Sequence, residues 1–198
     1  MSEAVRTPDA PLVVCDASVF YSIVMTDLLL SLGVAELIRP RWTQQIHDEW
    51  MRNLRTNRPD LDPAKIERRR QQMDAAIDDC LIAGYEAFIP QLSLPDPDDQ
   101  HVLAAAIHGQ ASVILTYNRR HFPRRVVAPY GISAQHPDDF LLSLAQQFST
   151  GVQETLEEMR ARKTRPALSQ AEILEKLANQ HLPKFVAVLR KTGYGRYP

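Results

Sequence analysis

Short apolar runs recur along the first 150 residues and are separated by longer segments with a different spacing. The runs are PLVVC (11–15), IRPRW (38–42), ASVILTY (111–117) and ISAQH (132–136). Continuous apolar runs of this length that end at turn residues are typical of strands buried in a parallel sheet. The pattern therefore predicts four short strands.

The segments between these runs have the apolar spacing of helices. Predicted helices cover residues 19–33, 43–57, 62–82, 95–109 and 137–148. Gly33 is a stop signal, Thr43 is a predicted cap, and Pro63 suits a first helical turn. Strands that alternate with helices predict an α/β fold with a central parallel sheet.

The pattern changes after about residue 150. Residues 151–164 and 168–193 show helical spacing without a strand pattern, and RPAL (165–168) separates them. We therefore expect a main domain over residues 10–148 and a helical C-terminal extension over residues 149–198.

Composition indicates a globular protein of ordinary type. The chain has 198 residues, of which 44% are hydrophobic and 24% charged, which is usual for a soluble domain. No apolar run reaches the roughly 20 residues that span a bilayer, and the N-terminal stretch lacks a signal-peptide pattern. We expect a cytoplasmic protein with no membrane association.

Arginines are clustered although the net charge is only −1. The cluster at 118–125, NRRHFPRR, contains Arg119, Arg120, Arg124 and Arg125. A guanidinium group can bind a phosphate through two hydrogen bonds, so such clusters favour a nucleic-acid partner. A solvated surface remains the alternative interpretation for any single cluster.

Oxygen-bearing side chains follow the predicted strands. Asp16 ends the first strand and Asn118 ends the strand at 111–117; the carboxyl ends of parallel strands meet at one edge, where ligands bind. Asp99 begins a nearby helix, and Glu49 joins them if its helix crosses the same cleft. Clustered carboxylates repel one another unless a cation is present, and their oxygens suit Mg²⁺ or Mn²⁺.

Three aspartates occur in the stretch SLPDPDDQHVLAAAI (93–107). One aspartate suffices to cap the helix that follows. We expect Asp99 to bind metal, and Asp96 and Asp98 to cap the helix and add negative charge to the site.

These motifs together resemble the PIN-domain nucleases, in particular the bacterial VapC-type toxins of toxin–antitoxin systems. The resemblance rests on VVCDASVFY (13–21), IHDEWMRNL (46–54), DPDDQHVLAAAI (96–107) and VILTYNRRHFP (113–123), which occur in the family's order. It covers about residues 12–140, and some members also carry a helical tail. It implies a three-layer α/β/α fold and a Mg²⁺-dependent endoribonuclease, with RNA as substrate and a cognate antitoxin as partner.

The resemblance also suggests residue roles. Asp16, Glu49 and Asp99 match the family's metal ligands, and Asn118 stands at a fourth catalytic position where the family often has Asp. Ser18 is expected to orient Asp16 or a water. His121 stands where an acid is common; it either contacts phosphate or is an ordinary loop residue.

Other functions remain open at this stage. The neutral Asn118 favours, as the main alternative, a catalytically weakened PIN fold that binds RNA or protein. A nucleotide-binding protein has less support, because the chain lacks a GxGxxG or GxxxxGK[ST] phosphate loop. The apolar helix after Phe20 is compatible with a homodimer.

Overall fold

The computed structural model describes residues 10–164 and 166–195. Residues 1–9, residue 165 and residues 196–198 of the predicted extension lie outside the described residues.

Within the described ranges, four parallel strands form the central sheet in the order β2-β1-β3-β4. They are β1 (Leu12–Cys15), β2 (Arg39–Arg41), β3 (Val113–Leu115) and β4 (Ser133–Gln135). Val14 in β1 pairs with Arg41 on one side and Ile114 on the other. Because the chain crosses from one side of β1 to the other, a switch point lies between the carboxyl ends of β1 and β3.

Ten α-helices accompany this sheet in the described residues. They are α1 (Ala17–Phe20), α2 (Ile23–Val34), α3 (Gln44–Asn57), α4 (Pro63–Ala76), α5 (Gln100–His108), α6 (Arg124–Val127), α7 (Pro137–Gln147), α8 (Ser149–Ala161), α9 (Gln170–Ala178) and α10 (Pro183–Lys191). The sheet and its helices form the predicted three-layer α/β/α fold, so that prediction is confirmed.

The core fills the space around β1 and β3. Val13, Val14, Ile114 and Leu115 have no more than a trace of exposed surface, as expected for strands covered on both faces. Cys15 and Cys80 are buried free thiols.

The predicted helix 19–33 is broken at Tyr21 and Ser22. The carbonyl of Phe20, at the end of α1, accepts a hydrogen bond from the guanidinium of Arg69 on α4. Ser22 then starts α2, and its side chain accepts from the Met25 amide. The break is thus in contact with a residue 49 positions away.

The predicted helix 62–82 is too long, since α4 ends at Ala76. The following residues pair with Trp42, whose amide donates to the Cys80 carbonyl (2.9 Å) and whose carbonyl accepts from the Ile82 amide (2.8 Å). This pairing extends the β2 edge and removes residues 77–82 from the helix.

The C-terminal segment is helical, but residues 168–193 form two helices rather than one. Both carboxylate oxygens of Asp138, in the first turn of α7, accept backbone N–H groups of α10, from Lys184 (3.1 Å) and Phe185 (2.9 Å). Asp138 is buried and caps α10 across 46 and 47 residues of sequence. The boundary at 148/149 falls between α7 and α8 and stays a prediction.

Candidate metal centre and nucleic-acid interface

Asp16 lies at the switch point of the sheet. It directly follows β1, and its amide donates to the carbonyl of Leu115 in β3 (3.0 Å). Its Oδ2 atom accepts two hydrogen bonds, from the hydroxyls of Ser18 (2.6 Å) and Thr116 (2.7 Å). The carboxylate is therefore held in one orientation by groups that follow two adjacent strands.

The environment of Asp16 opposes its ionisation. Burial raises the pKa of this carboxyl above its usual value, and the negative charge of Glu49 raises it further. The hydrogen bonds from Ser18 and Thr116 lower the pKa and offset part of this shift. A bound cation would favour the ionised form of such a group.

The turn before α5 carries the second acidic group. Asp96 caps this turn, since its Oδ1 atom accepts from the Asp98 amide (3.1 Å). Asp99 ends the turn, and its Oδ2 atom lies 2.6 Å from Nδ1 of His121. The other carboxylate oxygen of Asp96, Oδ2, lies 3.6 Å from the same nitrogen.

Asp99 also has an unfavourable environment for its charge. Burial raises the pKa of the Asp99 carboxyl, the hydrogen bond with His121 lowers it, and the charge of Asp16 raises it again. Each of these two carboxyls is thus affected by the negative charge of a carboxylate from another segment of the chain, Asp16 by Glu49 and Asp99 by Asp16.

Glu49 is contributed by α3 and is only partly exposed. Its Oε2 atom lies 3.5 Å from Nε2 of His101, a buried residue in the first turn of α5.

The predicted cap Thr43 starts α3, because its side chain accepts a hydrogen bond from the Ile46 amide (3.1 Å). The predicted cap of α3 is thus confirmed.

Asn118 and Thr116 both follow β3, but Thr116 is buried and Asn118 is exposed. The backbone N–H of Asn118 donates to the Thr116 hydroxyl (2.9 Å). The neighbouring Tyr117 amide donates to the Ser18 hydroxyl (3.2 Å). Ser18 and Thr116 thereby connect Asp16 to the backbone of the loop after β3.

The structure brings most of the predicted residues into one region. Ser18 contacts Asp16, and His121 contacts Asp96 and Asp99. Glu49 contacts His101 at the start of α5, and its charge acts on Asp16. Asp98 is exposed on its turn. Thr116 and His101 were missed by sequence reasoning; Thr116 could have been found as the polar residue directly after an apolar strand, whereas His101 gave no such signal.

The predicted RNA-binding arginines border a surface cleft. Arg119, Arg120 and Arg124 line a cleft of about 680 Å³ between the loop after β3 and the start of β4. Arg119 also pairs with Asp139 (3.0 Å), and Arg120 donates to His121. Arg125 is exposed on α6. The cleft carries positive charge next to the acidic cluster.

The residues present fit a divalent cation. Asp96, Asp99 and His121 each offer a ligand atom, and these atoms all lie within 4.8 Å of one another. Carboxylate oxygens and an imidazole nitrogen are common ligands of divalent ions in proteins. The pKa values of Asp16 and Asp99 are raised, so a positive charge nearby would favour the ionised form of both carboxyls.

Comparison with known proteins defines the class of this fold and site. A family model described as PIN domain matches residues 12–120, and one described as VapC50 C-terminal domain matches residues 137–191. The chain belongs to the PIN-domain family, and its resemblance to VapC-type members with a C-terminal extension is confirmed.

A curated relative is the Mycobacterium tuberculosis protein named "Putative ribonuclease VapC50". It is 38% identical over 93 residues, which are 47% of this chain and 54% of the relative. The chain thus matches about half the length of that relative. No solved structure gives a significant match.

None of the helices in the described residues is both long and apolar enough to cross a membrane.

Proposed function

We propose that this protein is a divalent-metal-dependent endoribonuclease that acts as a VapC-type toxin. The observation that supports the proposal is the position of acidic groups in a PIN-family fold. Asp16 follows β1 and bonds to the end of β3, and Asp96, Asp99 and His121 offer ligand atoms that lie within 4.8 Å of one another. Carboxylates that lie close together repel one another, and a bound cation removes this cost.

In this proposal Asp16, Glu49 and Asp99 hold Mg²⁺ or Mn²⁺. A bound divalent cation supplies Lewis acidity that activates water and stabilises negative charge on a phosphodiester. Ser18 and Thr116 act through Asp16, since their hydroxyls fix the orientation of its carboxylate. Asn118 contributes a neutral amide and therefore less negative charge than the Asp that the family often has.

RNA would reach the metal centre from the arginine-lined cleft. Arg119, Arg120, Arg124 and Arg125 are all exposed, so their guanidinium groups are free to approach phosphates without a large desolvation cost. Pairing of an exposed arginine with a surface acid is weak and can be exchanged for a phosphate.

The partners of the toxin belong to the same proposal. A cognate antitoxin would cover the acidic cleft, and the protein would act in the cytoplasm. Ile23 and Val34, at the two ends of α2, are 68% and 60% exposed, which supports a homodimer through this helix. Growth arrest on expression of the chain, relieved by Asp99→Asn, would support the toxin role.

Cleavage of RNA by the purified chain tests the proposal. Asp99→Asn should abolish Mg²⁺- or Mn²⁺-dependent cleavage while the far-ultraviolet circular dichroism stays that of wild type. Asp98→Asn is the matched control, because Asp98 lies one residue away and is exposed. Full activity of Asp99→Asn would contradict the metal-ligand role.

Calorimetry tests metal binding without relying on activity. Wild type should bind Mg²⁺ or Mn²⁺ with a Kd of roughly micromolar to millimolar, the range expected for an open, hydrated oxygen site. Asp16→Asn should weaken this binding strongly. Equal affinity in both proteins would place the cation elsewhere.

Asn118 supports a second candidate function, an RNA- or protein-binding PIN fold without catalysis. The observation that favours it is the exposure of this neutral side chain in the loop after β3. RNA binding with no cleavage in either Mg²⁺ or Mn²⁺, in a chain that also fails to gain activity from Asn118→Asp, would favour this alternative.

A further inference from the structure

His121 lies among carboxylates rather than on an open surface. Its Nδ1 atom is 2.6 Å from Oδ2 of Asp99 and 3.6 Å from Oδ2 of Asp96. We propose that His121 binds the divalent cation directly through Nδ1, beside Asp99, and that this nitrogen makes the site prefer Mn²⁺ over Mg²⁺. The inference rests on the proposed metal centre and specifies its ligand set.

The preference follows from ligand chemistry. Mg²⁺ binds oxygen ligands almost exclusively and dehydrates reluctantly. Affinity for nitrogen ligands rises along the first-row series from Mn²⁺ to Co²⁺ and beyond. A centre in which imidazole replaces one carboxylate therefore loses negative charge, which weakens Mg²⁺ most, and gains a nitrogen that transition ions bind well.

Arg120 defines which nitrogen of His121 carries the proton. Its Nε–H donates to Nε2 of His121 (3.2 Å), so Nε2 is an acceptor, because a guanidinium group has no acceptor of its own. The ring proton is then on Nδ1 and is donated to Asp99. His121 bridges Arg120 and Asp99 in this state.

Metal binding at Nδ1 requires the other tautomer. The proton leaves Nδ1 and a proton is taken up at Nε2 through solvent, so the ring stays neutral and protons balance. Nε2 then carries a hydrogen and no longer accepts from Arg120. Binding of the cation would thus release Arg120, which lines the adjacent cleft, for contact with an RNA phosphate.

A role limited to positioning Asp99 makes a different prediction. If His121 only orients Asp99 by a hydrogen bond, its replacement changes the affinity for every divalent cation by a similar factor. If His121 is a ligand, replacement changes the ratio of the Mn²⁺ and Mg²⁺ affinities. The ratio is therefore the quantity that separates the two roles.

The experiment titrates the full chain with MgCl₂ and MnCl₂ by calorimetry and records the visible absorption of its Co²⁺ form. Wild type should bind Mn²⁺ at least about 10-fold more tightly than Mg²⁺, and His121→Asp should reduce this ratio roughly 3- to 10-fold. The Co²⁺ bands should also shift in His121→Asp. His108→Asp is the control, because His108 is exposed at the other end of α5.

A measurement on wild type covers the case in which His121→Asp does not fold. In chain with ¹⁵N-labelled histidine, Zn²⁺ should shift the Nδ1 resonance of His121 and leave that of His108 in place. An unchanged Nδ1 resonance would overturn the inference, as would an unchanged Mn²⁺/Mg²⁺ ratio in a folded His121→Asp variant.

Arg120→Ala tests whether binding of the cation releases Arg120 from His121. This variant should bind Mn²⁺ about 2- to 5-fold more tightly than Arg124→Ala, since it also lacks the hydrogen bond that favours the non-binding tautomer. Equal affinities would contradict the release of Arg120.

RNA cleavage is measured separately from these binding experiments. Cleavage by wild type together with an unchanged metal ratio in His121→Asp overturns this inference and leaves the nuclease proposal standing. Metal ligation by His121 without RNA cleavage supports this inference and contradicts the nuclease proposal.

Discussion

The hydroxyl of Tyr117 donates a hydrogen bond to the backbone carbonyl of Gln180 (2.9 Å). Tyr117 follows Thr116 in the loop after β3, whereas Gln180 lies between α9 and α10. The Tyr117 ring also packs edge-on against His136, with ring centroids 5.0 Å apart. The loop that holds the candidate site is therefore bonded directly to the C-terminal helices.

Tyr117→Phe should weaken this connection while it preserves the ring packing. We expect the free energy of unfolding to fall by about 0.5–1.5 kcal/mol, the usual contribution of one hydrogen bond. Urea denaturation of the metal-free protein measures the change. Tyr130→Phe, at an exposed position, is the control, and equal stability of the two variants would contradict a role for the hydroxyl.

Asp138 and Asp139 provide a matched pair for the contribution of the α10 cap. Asp138→Ala removes a buried carboxylate that accepts two helix N–H groups and should lower the free energy of unfolding by about 1–3 kcal/mol. Asp139→Ala removes partly exposed ion pairs with Arg119 and Lys184 and should cost less. A larger loss in Asp139→Ala would show that the cap is unimportant.

The proximity of Asp16 to the loop after β3 could be predicted from the sequence. Both follow short apolar runs, and parallel topology alone brings the carboxyl ends of strands to one edge. The Thr43 cap could be predicted for a similar reason, since it depends on residues three positions apart. Local patterns and one topological rule were sufficient for these features.

Other features depend on partners far along the chain. Arg69 contacts the break between α1 and α2, and Asp138 caps the start of α10. Local helical spacing continues through both points, so it predicts single helices there. The contact between His121 and Asp99 likewise requires two loops whose relative position no local pattern contains.

The raised pKa of Asp16 predicts a specific pH dependence of stability. A carboxyl whose pKa is higher in the folded state binds its proton more tightly there, so stability falls as pH rises from the ordinary Asp value of about 3.9 through the raised one. Above the raised pKa the folded protein bears the full penalty of the buried charge.

Asp16→Asn should remove this penalty. In metal-free buffer at pH 7 we expect its free energy of unfolding to exceed that of wild type by roughly 0.5–2 kcal/mol, within the range of single substitutions. The difference should disappear at about pH 3, where Asp is protonated in both states. Asp98→Asn is the exposed control. A difference that is independent of pH would contradict the electrostatic cause.

Because exposed arginines follow Asn118, we expect the affinity for RNA to depend on salt concentration. Each phosphate contact on a single strand contributes about 0.7 to the slope of log K against log[salt], so loss of two contacts in Arg119→Ala/Arg120→Ala should reduce the slope by up to about 1.4. Filter binding in the Asp99→Asn background, with Mn²⁺ present, measures the slope without cleavage. Arg190→Ala/Lys191→Ala, which removes two positive charges from the last turn of α10, is the control for net charge. If both double variants change the slope equally, these arginines act only through the overall charge, and the RNA path has to run over another arginine cluster, such as residues 67–70 of α4.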